Sequence, residues 1–336
     1  MFIYFLKRAL TIVISRHRFI KRELTYWCKC LFGIVQNTAD RIKELEIQGA
    51  RNVAVAAIKA VEASVKETKA RTKKDFIQEL LTAKKILFIS RETEPLMRNA
   101  IRLIISQVEA SSKENVKDLI KIVGETSQNF LKDLEKSKER IAEIGSKRVR
   151  KNSIILTHCH SSTATCLLKR AKQDGKKFEI ICTETRPFFQ GRITAKEMLK
   201  LGVKTTLIVD SAARFYMNKV DFVIVGSDAI TSEGNVVNKI GTSTIALAAY
   251  EARTPFYVVS ELLKFDPLTI YGDYEIIEER NPNEVWQNPP KNLIIRNPAF
   301  DVTRRDFIHG IICEEGIIPP HSIVELMNRK YPWIFE

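Results

Sequence analysis

The sequence predicts an α/β protein: an N-terminal helical domain followed by a Rossmann-like domain with a mainly parallel sheet. Three observations predict it. Apolar residues recur at helical spacing through the first part of the chain, short and nearly continuous apolar runs begin just after residue 150, and helical stretches separate several of those runs. At 336 residues the chain exceeds one compact core, so two domains are expected.

The order of elements follows from the spacing. Ile42, Leu45, Val53, Ala54, Ala57, Ile58, Val61 and Val65 recur largely at three- and four-residue steps and predict one amphipathic helix. Val116, Leu119, Ile120, Val123, Phe130, Leu131, Leu134, Ile141 and Ile144 predict another long one. Between them, Ile86 to Ile89 reads as strand by residue type and as helix by its neighbours, and the pattern leaves it open. The Lys-rich stretch from Glu135 to Lys151 leads into a change of period, which places a boundary near Gly145. Residues 1–34 are then an extension, 35–145 the helical domain and 146–336 the Rossmann-like catalytic domain.

Beyond that boundary, Ser153–Thr157, Phe178–Thr183, Thr205–Val209, Phe222–Val225 and Phe256–Val259 are apolar runs of the kind buried on both faces of a parallel sheet. Thr163–Gln173, Thr194–Leu201 and Ser243–Arg253 read as helices between them, joined by right-handed crossovers.

Composition narrows the function. A hydrophobic fraction of 45% and a charged fraction of 28% are ordinary for a globular protein, but the formal charge of +14 is not. Seven basic side chains and one acid (Glu23) give the first 34 residues +6, leaving +8 for the rest. The basic residues are dispersed and lack a stacking or groove-binding motif, so no nucleic-acid partner is predicted. A bisphosphate or polyphosphate-like substrate accounts for a positive site instead. Six cysteines without regular spacing build no disulfide framework and suit a reduced, cytoplasmic setting. Cys28-x-Cys30 has no second pair at zinc spacing and is read as coincidence. Met1 to Ser15 is apolar but broken by Lys7 and Arg8, short of the roughly 20 residues that span a bilayer, and it shows no signal-peptide cleavage site. We read it as a non-essential extension, with an amphipathic surface anchor as the alternative, and expect no stable membrane association.

The chemistry gathers after the strands. The five runs are followed by His158-Cys159-His160-Ser161-Ser162, Glu184-Thr185-Arg186-Pro187, Asp210-Ser211-Ala212-Ala213-Arg214, Gly226-Ser227-Asp228 and Ser260-Glu261-Leu262-Leu263-Lys264. Open α/β sheets bind ligands at the carboxyl ends of their strands, so polar residues clustered there favour a site over solvated turns. Cys159 stands where a strand gives way to a helix, whose positive end would lower the thiol's pKa and ready it for proton transfer. By residue type alone a buried cysteine is more often a small apolar filler, the reading that fits Cys166. His158, Cys159 and His160 cannot readily converge on one metal ion, because adjacent extended residues point to opposite faces. Asp228 follows Gly226, which permits close backbone approach; in a dry crevice its carboxyl would keep its proton and act as a general acid, and otherwise it is a turn aspartate. Asn238-Lys239-Ile240-Gly241-Thr242 offers an amide, an ammonium and a helix start to a phosphate or sugar hydroxyl. Arg91, Arg186 and Lys264 add positive charge suited to phosphate oxygens.

At these residues the sequence resembles the translation initiation factor 2B alpha/beta/delta-like family and, within it, the archaeal ribose-1,5-bisphosphate isomerases. The resemblance runs from about Asp40 to Met327. It rests on Thr-His-Cys-His-Ser, Thr-Glu-Thr-Arg-Pro-x-x-Gln-Gly, Val-Asp-Ser-Ala-Ala-Arg, Asn-Lys-Ile-Gly-Thr and Asn297-Pro-Ala-Phe-Asp301-Val-Thr. It implies the two-domain fold, a homo-hexamer built as a trimer of dimers, and no metal or organic cofactor. It also implies conversion of ribose 1,5-bisphosphate to ribulose 1,5-bisphosphate in archaeal nucleotide (AMP) degradation. The family's active cysteine falls on Cys159 and its aspartate on Asp228. Its substrate contacts fall on Gln48, Gly49, Ala50 and Arg51, on Arg91, on Asn238 and Lys239, and on Lys264. The family usually has Arg-Gly-Ala-Gly where this chain has Gln48-Gly49-Ala50-Arg51. If that segment is helical, positions 48 and 51 share a face and Arg51 replaces the missing guanidinium; otherwise the change marks altered affinity or another substrate. Two relatives of the same fold are the alternatives. Non-catalytic initiation factor 2B-like regulatory subunits typically lack the cysteine–aspartate pair. Methylthioribose-1-phosphate isomerases usually show Asn-Ala-Gly where this chain has His160-Ser161-Ser162.

Overall fold

The structure, a computed structural model, describes residues 32–91, 93–272 and 277–335. Cys28 and Cys30, with most of the expected extension, lie outside the described residues. The chain folds as two compact units, one of residues 32–48, 55–91 and 104–127, the other of residues 49–54, 93–103 and 128 onward. This division falls elsewhere than the change of period at Gly145. Gly145 is a point of close approach: a Cβ there would lie 2.0 Å from Leu167 Cδ1 and 3.2 Å from Ile312 Cγ2. The end of the long helix is therefore packed into the sheet-bearing unit.

The first unit is helical. Helix α1 (Gly33–Lys43) buries Val35, Ala39 and Ile42. Helix α2 (Ala50–Lys66) follows after a break, so the predicted single helix from Ile42 to Val65 is in fact two. The break has a backbone cause, because Leu45 (φ 60°) and Gly49 (φ 83°) both adopt the left-handed conformation, which a helix cannot propagate. Helix α3 (Lys73–Ser90) starts at a Thr72 cap, whose hydroxyl accepts the Asp75 N–H at 3.1 Å. Phe76, Leu80, Ala83 and Leu87 form its buried stripe. The open segment Ile86 to Ile89 is thus helical, its β-type residues overridden by that period. Helices α4 (Pro95–Ala110) and α5 (Val116–Ser146) each contribute to both units; α5 is the predicted long helix, 31 residues with Leu119, Val123, Phe130, Leu134 and Ile141 buried.

The second unit carries β1 (Ser153–Thr157), α6 (Ser162–Gln173), β2 (Phe178–Thr183), α7 (Gly191–Lys200), β3 (Lys204–Ile208), α8 (Ala213–Met217), β4 (Phe222–Val225), β5 (Ala229–Ile230), β6 (Val236–Lys239), α9 (Thr242–Glu251), β7 (Phe256–Val259), β8 (Phe300–Thr303), β9 (Gly310–Cys313), β10 (Gly316–Ile318) and α10 (Ile323–Lys330). Seven strands form one sheet in the order β10-β9-β7-β4-β1-β2-β3, parallel except for β10 against β9. The five predicted runs are its β1, β2, β3, β4 and β7. Ile155, Ile180, Ile224 and Val259 build the core with Leu167, Leu168 and Ala171 of α6 and Met198 of α7. Burial of this kind stabilises by about 25 cal/mol per Å² of apolar surface. A second, antiparallel sheet β5-β6-β8 projects beyond the end of β4 and pairs Asn238 with Asp301. Among the described residues, no helix is long and apolar enough to cross a membrane.

Candidate active site

The carboxyl ends of β1, β2 and β3 are laced together by side chains. Asp210, just past β3, accepts the Thr185 and Arg186 N–H groups at 2.7 Å each. Thr185, just past β2, accepts the Cys159 N–H at 2.9 Å through its hydroxyl. The Thr194 hydroxyl donates to the Cys159 carbonyl at 2.9 Å. Cys159 (φ 66°) and Thr185 (φ 63°) are both left-handed, a conformation costing roughly 1–3 kcal/mol outside glycine. These hydrogen bonds hold it in place. His158 and His160 turn to different partners, His158 to Thr183 and the Ile240 carbonyl, His160 to Thr194. They do not converge on an ion, and among the described residues no group of three or more His, Cys, Asp and Glu side chains is arranged to hold a metal.

Helix α6 begins one residue after its cap, Ser161, whose hydroxyl accepts the Ala164 N–H at 3.3 Å. Cys159 sits upstream of that cap, and here the expectation of a lowered thiol pKa is corrected. Burial pushes the thiol up to about 11, with Asp228 and Asp210 acting in the same direction. The Lys239 ammonium and the His160 N–H oppose this without overcoming it. At neutral pH the group is a thiol. Asp228 and Lys239 both act electrostatically on the sulfur, and the segments that carry them are joined to one another and to the end of β1 by the Asp228 N–H to the Val237 carbonyl and by His158 to the Ile240 carbonyl.

Asp228 follows β4 in the turn Gly226-Ser227-Asp228, and its N–H donates to the Val237 carbonyl at 2.9 Å. Gly226 does permit a close approach: a Cβ would stand 2.6 Å from Ser161 Cβ. Ser227 is held twice, by its hydroxyl to Ser260 at 2.6 Å and by its carbonyl, which accepts from Lys264 Nζ at 2.7 Å. Lys264 is itself buried, 3.2 Å from Glu261. Glu261 accepts from the Thr163 hydroxyl at 2.9 Å and lies 3.6 Å from the Arg51 guanidinium. Burial acts to raise the Glu261 pKa, yet Lys264, the hydrogen bonds and Arg51 together hold it below the ordinary carboxylate range. Arg51 also pairs with Glu135 and donates to the Leu134 carbonyl at 2.9 Å. Asn99 steadies the lysine loop by donating to the Leu263 and Phe265 carbonyls at 2.9 and 2.8 Å.

The remaining predicted residues are disposed differently. Asn238 is buried at the end of β6 and donates to the Thr242 hydroxyl at 2.9 Å, while Lys239 lies over the Phe300 ring. Arg186 is exposed and donates to the Val285 carbonyl at 3.0 Å. Gln48 and Arg91 belong to the first unit; Gln48 donates to the Leu45 carbonyl at 2.8 Å and Arg91 ends α3. Gln48 precedes the left-handed Gly49, and the helix opens only at Ala50, so positions 48 and 51 are not one helical turn apart. Sequence reasoning did not assign roles to Asp210, Thr185, Glu261 or Asn99. The first three stand in the strand-end segments it had marked, and their position there was the available signal. Asn99 lies far off in the chain and gave none.

The chain is similar to known proteins in sequence and in fold. The model of the initiation factor 2 subunit family matches residues 46–320. The ribose 1,5-bisphosphate isomerase of Pyrococcus furiosus is 39% identical over 305 residues, covering 89% of this chain and 94% of its own length. Among solved structures, the translation initiation factor eIF-2B of Pyrococcus horikoshii OT3 aligns with a TM-score of 0.75 at 29% identity, covering 85% of this chain and 97% of that one. The 5-methylthioribose 1-phosphate isomerase of the same organism aligns at 0.70, also with 29% identity, covering 88% and 87%. From the matched span and the shared α/β architecture, the chain belongs to the initiation factor 2 subunit family.

Proposed function

We propose that this chain is an isomerase converting ribose 1,5-bisphosphate to ribulose 1,5-bisphosphate. What supports the reading is that the segments carrying Cys159, Asp228 and Lys239 are hydrogen-bonded together past the ends of β1, β4 and β6, in a chain 39% identical to a relative named for that substrate. The reaction opens a furanose ring and moves a proton from C2 to C1, so it needs one group to protonate the ring oxygen and another to carry the carbon-bound proton. Asp228, in its protonated form, takes the first role; Cys159 takes the second as its thiolate, removing the proton from C2 and returning it to C1, while the C2 hydroxyl proton goes back to the Asp228 carboxylate as the ketone forms. Lys239, Lys264, Asn238, Arg51 and Arg186, with Gln48, Gly49, Ala50 and Arg91, are the proposed substrate contacts. We place the activity in the cytoplasm, in archaeal nucleotide (AMP) degradation, and the assembly as a homo-hexamer.

Methylthioribose 1-phosphate is the second reading, favoured by the likeness to the 5-methylthioribose 1-phosphate isomerase structure and weakened by His160-Ser161-Ser162 after the cysteine. A non-catalytic regulatory subunit is the third, and the cysteine–aspartate pair speaks against it. Purified protein offered each sugar phosphate, with ribulose bisphosphate monitored by a coupled assay for one and methylthioribulose 1-phosphate for the other, decides among them. Turnover of the bisphosphate is expected; turnover of the methylthio sugar alone, or of neither, overturns the proposal.

A further inference from the structure

His158 is 2% exposed and lies directly before Cys159, yet nothing above gives it a part in the chemistry. Its ring is fully committed. Nε2 lies 2.8 Å from the Ile240 carbonyl, which can only accept, so Nε2 carries the proton. Nδ1 lies 2.6 Å from the Thr183 hydroxyl and accepts from it. Burial is the main cause that lowers the imidazole's pKa, Lys239 adds to it, and the Ile240 carbonyl and Asp210 oppose it. The neutral ring in one tautomer satisfies both partners.

Those partners tie three elements together: β1, the end of β2, and the segment that leaves β6 with Asn238 and Lys239. That segment rests on the imidazole itself. Gly241 is left-handed (φ 101°), and a Cβ there would lie 3.1 Å from His158 Cε1. From the other side Asp301 accepts the Gly241 N–H at 2.8 Å and the Ser243 N–H at 3.1 Å. Residues 239–243 are thus clamped between the ring and the Asp301 carboxylate. We propose that His158 is a positioning residue: its imidazole holds the segment Lys239-Ile240-Gly241 in register with the strand end that carries Cys159, so that Lys239 keeps its place relative to that strand end. The charged and titratable groups that face the thiol are Lys239, Asp228 and Asp210, with the His160 N–H; those that face the imidazole are Asp210 and Lys239. Lys239 alone among these side chains favours the thiolate, so its displacement has one sign.

The catalytic consequence rests on the proposed isomerase activity, but the thiol's titration does not, and the two are read separately. The full chain is compared with His158→Ala, His158→Gln and Gly241→Ala. Alkylation of Cys159 by iodoacetamide is followed from pH 8 to 11.5 in brief exposures, quantified on the peptide that contains it, with kcat and KM for ribose 1,5-bisphosphate measured alongside. His158→Ala and Gly241→Ala are expected to move the alkylation profile upward by about half a pH unit or more, roughly a threefold loss of thiolate, and to lower kcat at least about tenfold with a smaller change in KM. His158→Gln, whose amide can donate to Ile240 and accept from Thr183, is expected to stay near the parent in both. A satisfied core histidine would lower thermal stability and leave the profile where it is. An unshifted profile in folded His158→Ala and Gly241→Ala overturns the proposal. If His158→Ala does not fold, Gly241→Ala decides alone, because it lifts the segment from an unaltered ring. Loss of turnover in the parent chain would count against the substrate, with the alkylation profiles still deciding the role of His158.

Discussion

Cys159 illustrates how a single residue can carry opposing demands. Its left-handed backbone is fixed by Thr185 and Thr194, and burial keeps its sulfur protonated at neutral pH. A thiol pushed up to about 11 holds its proton firmly and hands it on only when a base or substrate brings charge close. Cys159→Ser and Asp228→Asn are each expected to abolish turnover while leaving the circular dichroism spectrum and melting temperature near the parent's. Near-parental kcat in either would remove that residue from the mechanism. Arg51 poses a different question, since its guanidinium is already engaged by Glu135, Glu261 and the Leu134 carbonyl. If phosphate competes successfully for it, Arg51→Gly raises KM for the bisphosphate roughly ten- to a hundredfold, the loss of one charge-assisted contact of about 1.5–3 kcal/mol. A lower melting temperature with unchanged KM would confine Arg51 to its ion pairs. Glu314 makes a prediction about pH. Burial pushes its carboxyl up to about 7, although it accepts the Leu262 N–H at 3.1 Å. The folded state therefore keeps a proton that the unfolded chain has lost between about pH 4.5 and 7, so this residue's contribution to stability falls as pH rises through that window. Glu314→Gln should flatten that part of the stability curve and stabilise the protein at pH 8 by on the order of 2–3 kcal/mol; an unchanged curve in urea melts at pH 5 and pH 8 would refute it.

Among the elements, the strand ends matter more than the strands. Their polar segments are tied by Asp210, Thr185 and Ser227, so the site is set by a rigid sheet with few free loops. Gly226 leaves no room for a side chain between the turn bearing Asp228 and Ser161, the cap of α6. Gly226→Ala should force the β4 turn away from Ser161, lowering kcat by about tenfold or more from a displacement near 1 Å, with a stability loss of roughly 1–3 kcal/mol. Parental kinetics in that variant would show that the site tolerates the shift. Five of the six parallel strands were legible in the sequence as local runs of apolar and β-branched residues, although β3 is largely exposed where burial on both faces was expected, and β9 was not among them; the positions of Cys159 and Asp228 past strand ends were legible because they follow such runs. The antiparallel sheet was not, since Val236–Lys239 pairs with Phe300–Thr303 some sixty residues on and neither is a long apolar run. The break between α1 and α2 was hidden as well, because Gly49 turns the chain without interrupting the spacing of apolar residues. Pairings such as Arg51 with Glu261 depend on the tertiary fold, and nothing in the local pattern announces them.

At the scale of the whole chain the uneven charge becomes a testable property. Removing the first 31 residues takes away seven basic side chains and one acid, so a chain of net charge +14 becomes one of +8. The family match begins at residue 46, and the described fold begins at Phe32, which is buried beside the start of α1. A chain shortened to begin at Gln36 would lose the first turn of α1 together with the buried Val35, so the informative cut lies at Phe32. We expect the protein beginning at Phe32 to keep the kcat and KM of the full chain and to show the full chain's oligomeric state by light scattering, while eluting earlier from a cation exchanger. The retained +8 includes Arg51, Arg91, Arg186, Lys239 and Lys264, the cations proposed to meet the substrate, so association with a doubly phosphorylated sugar should weaken with salt to the same degree in both forms. A steeper salt dependence of kcat/KM in the full chain would mean that the N-terminal charges also steer the substrate. Loss of both activity and the full chain's oligomeric state on truncation would make the first 31 residues structural.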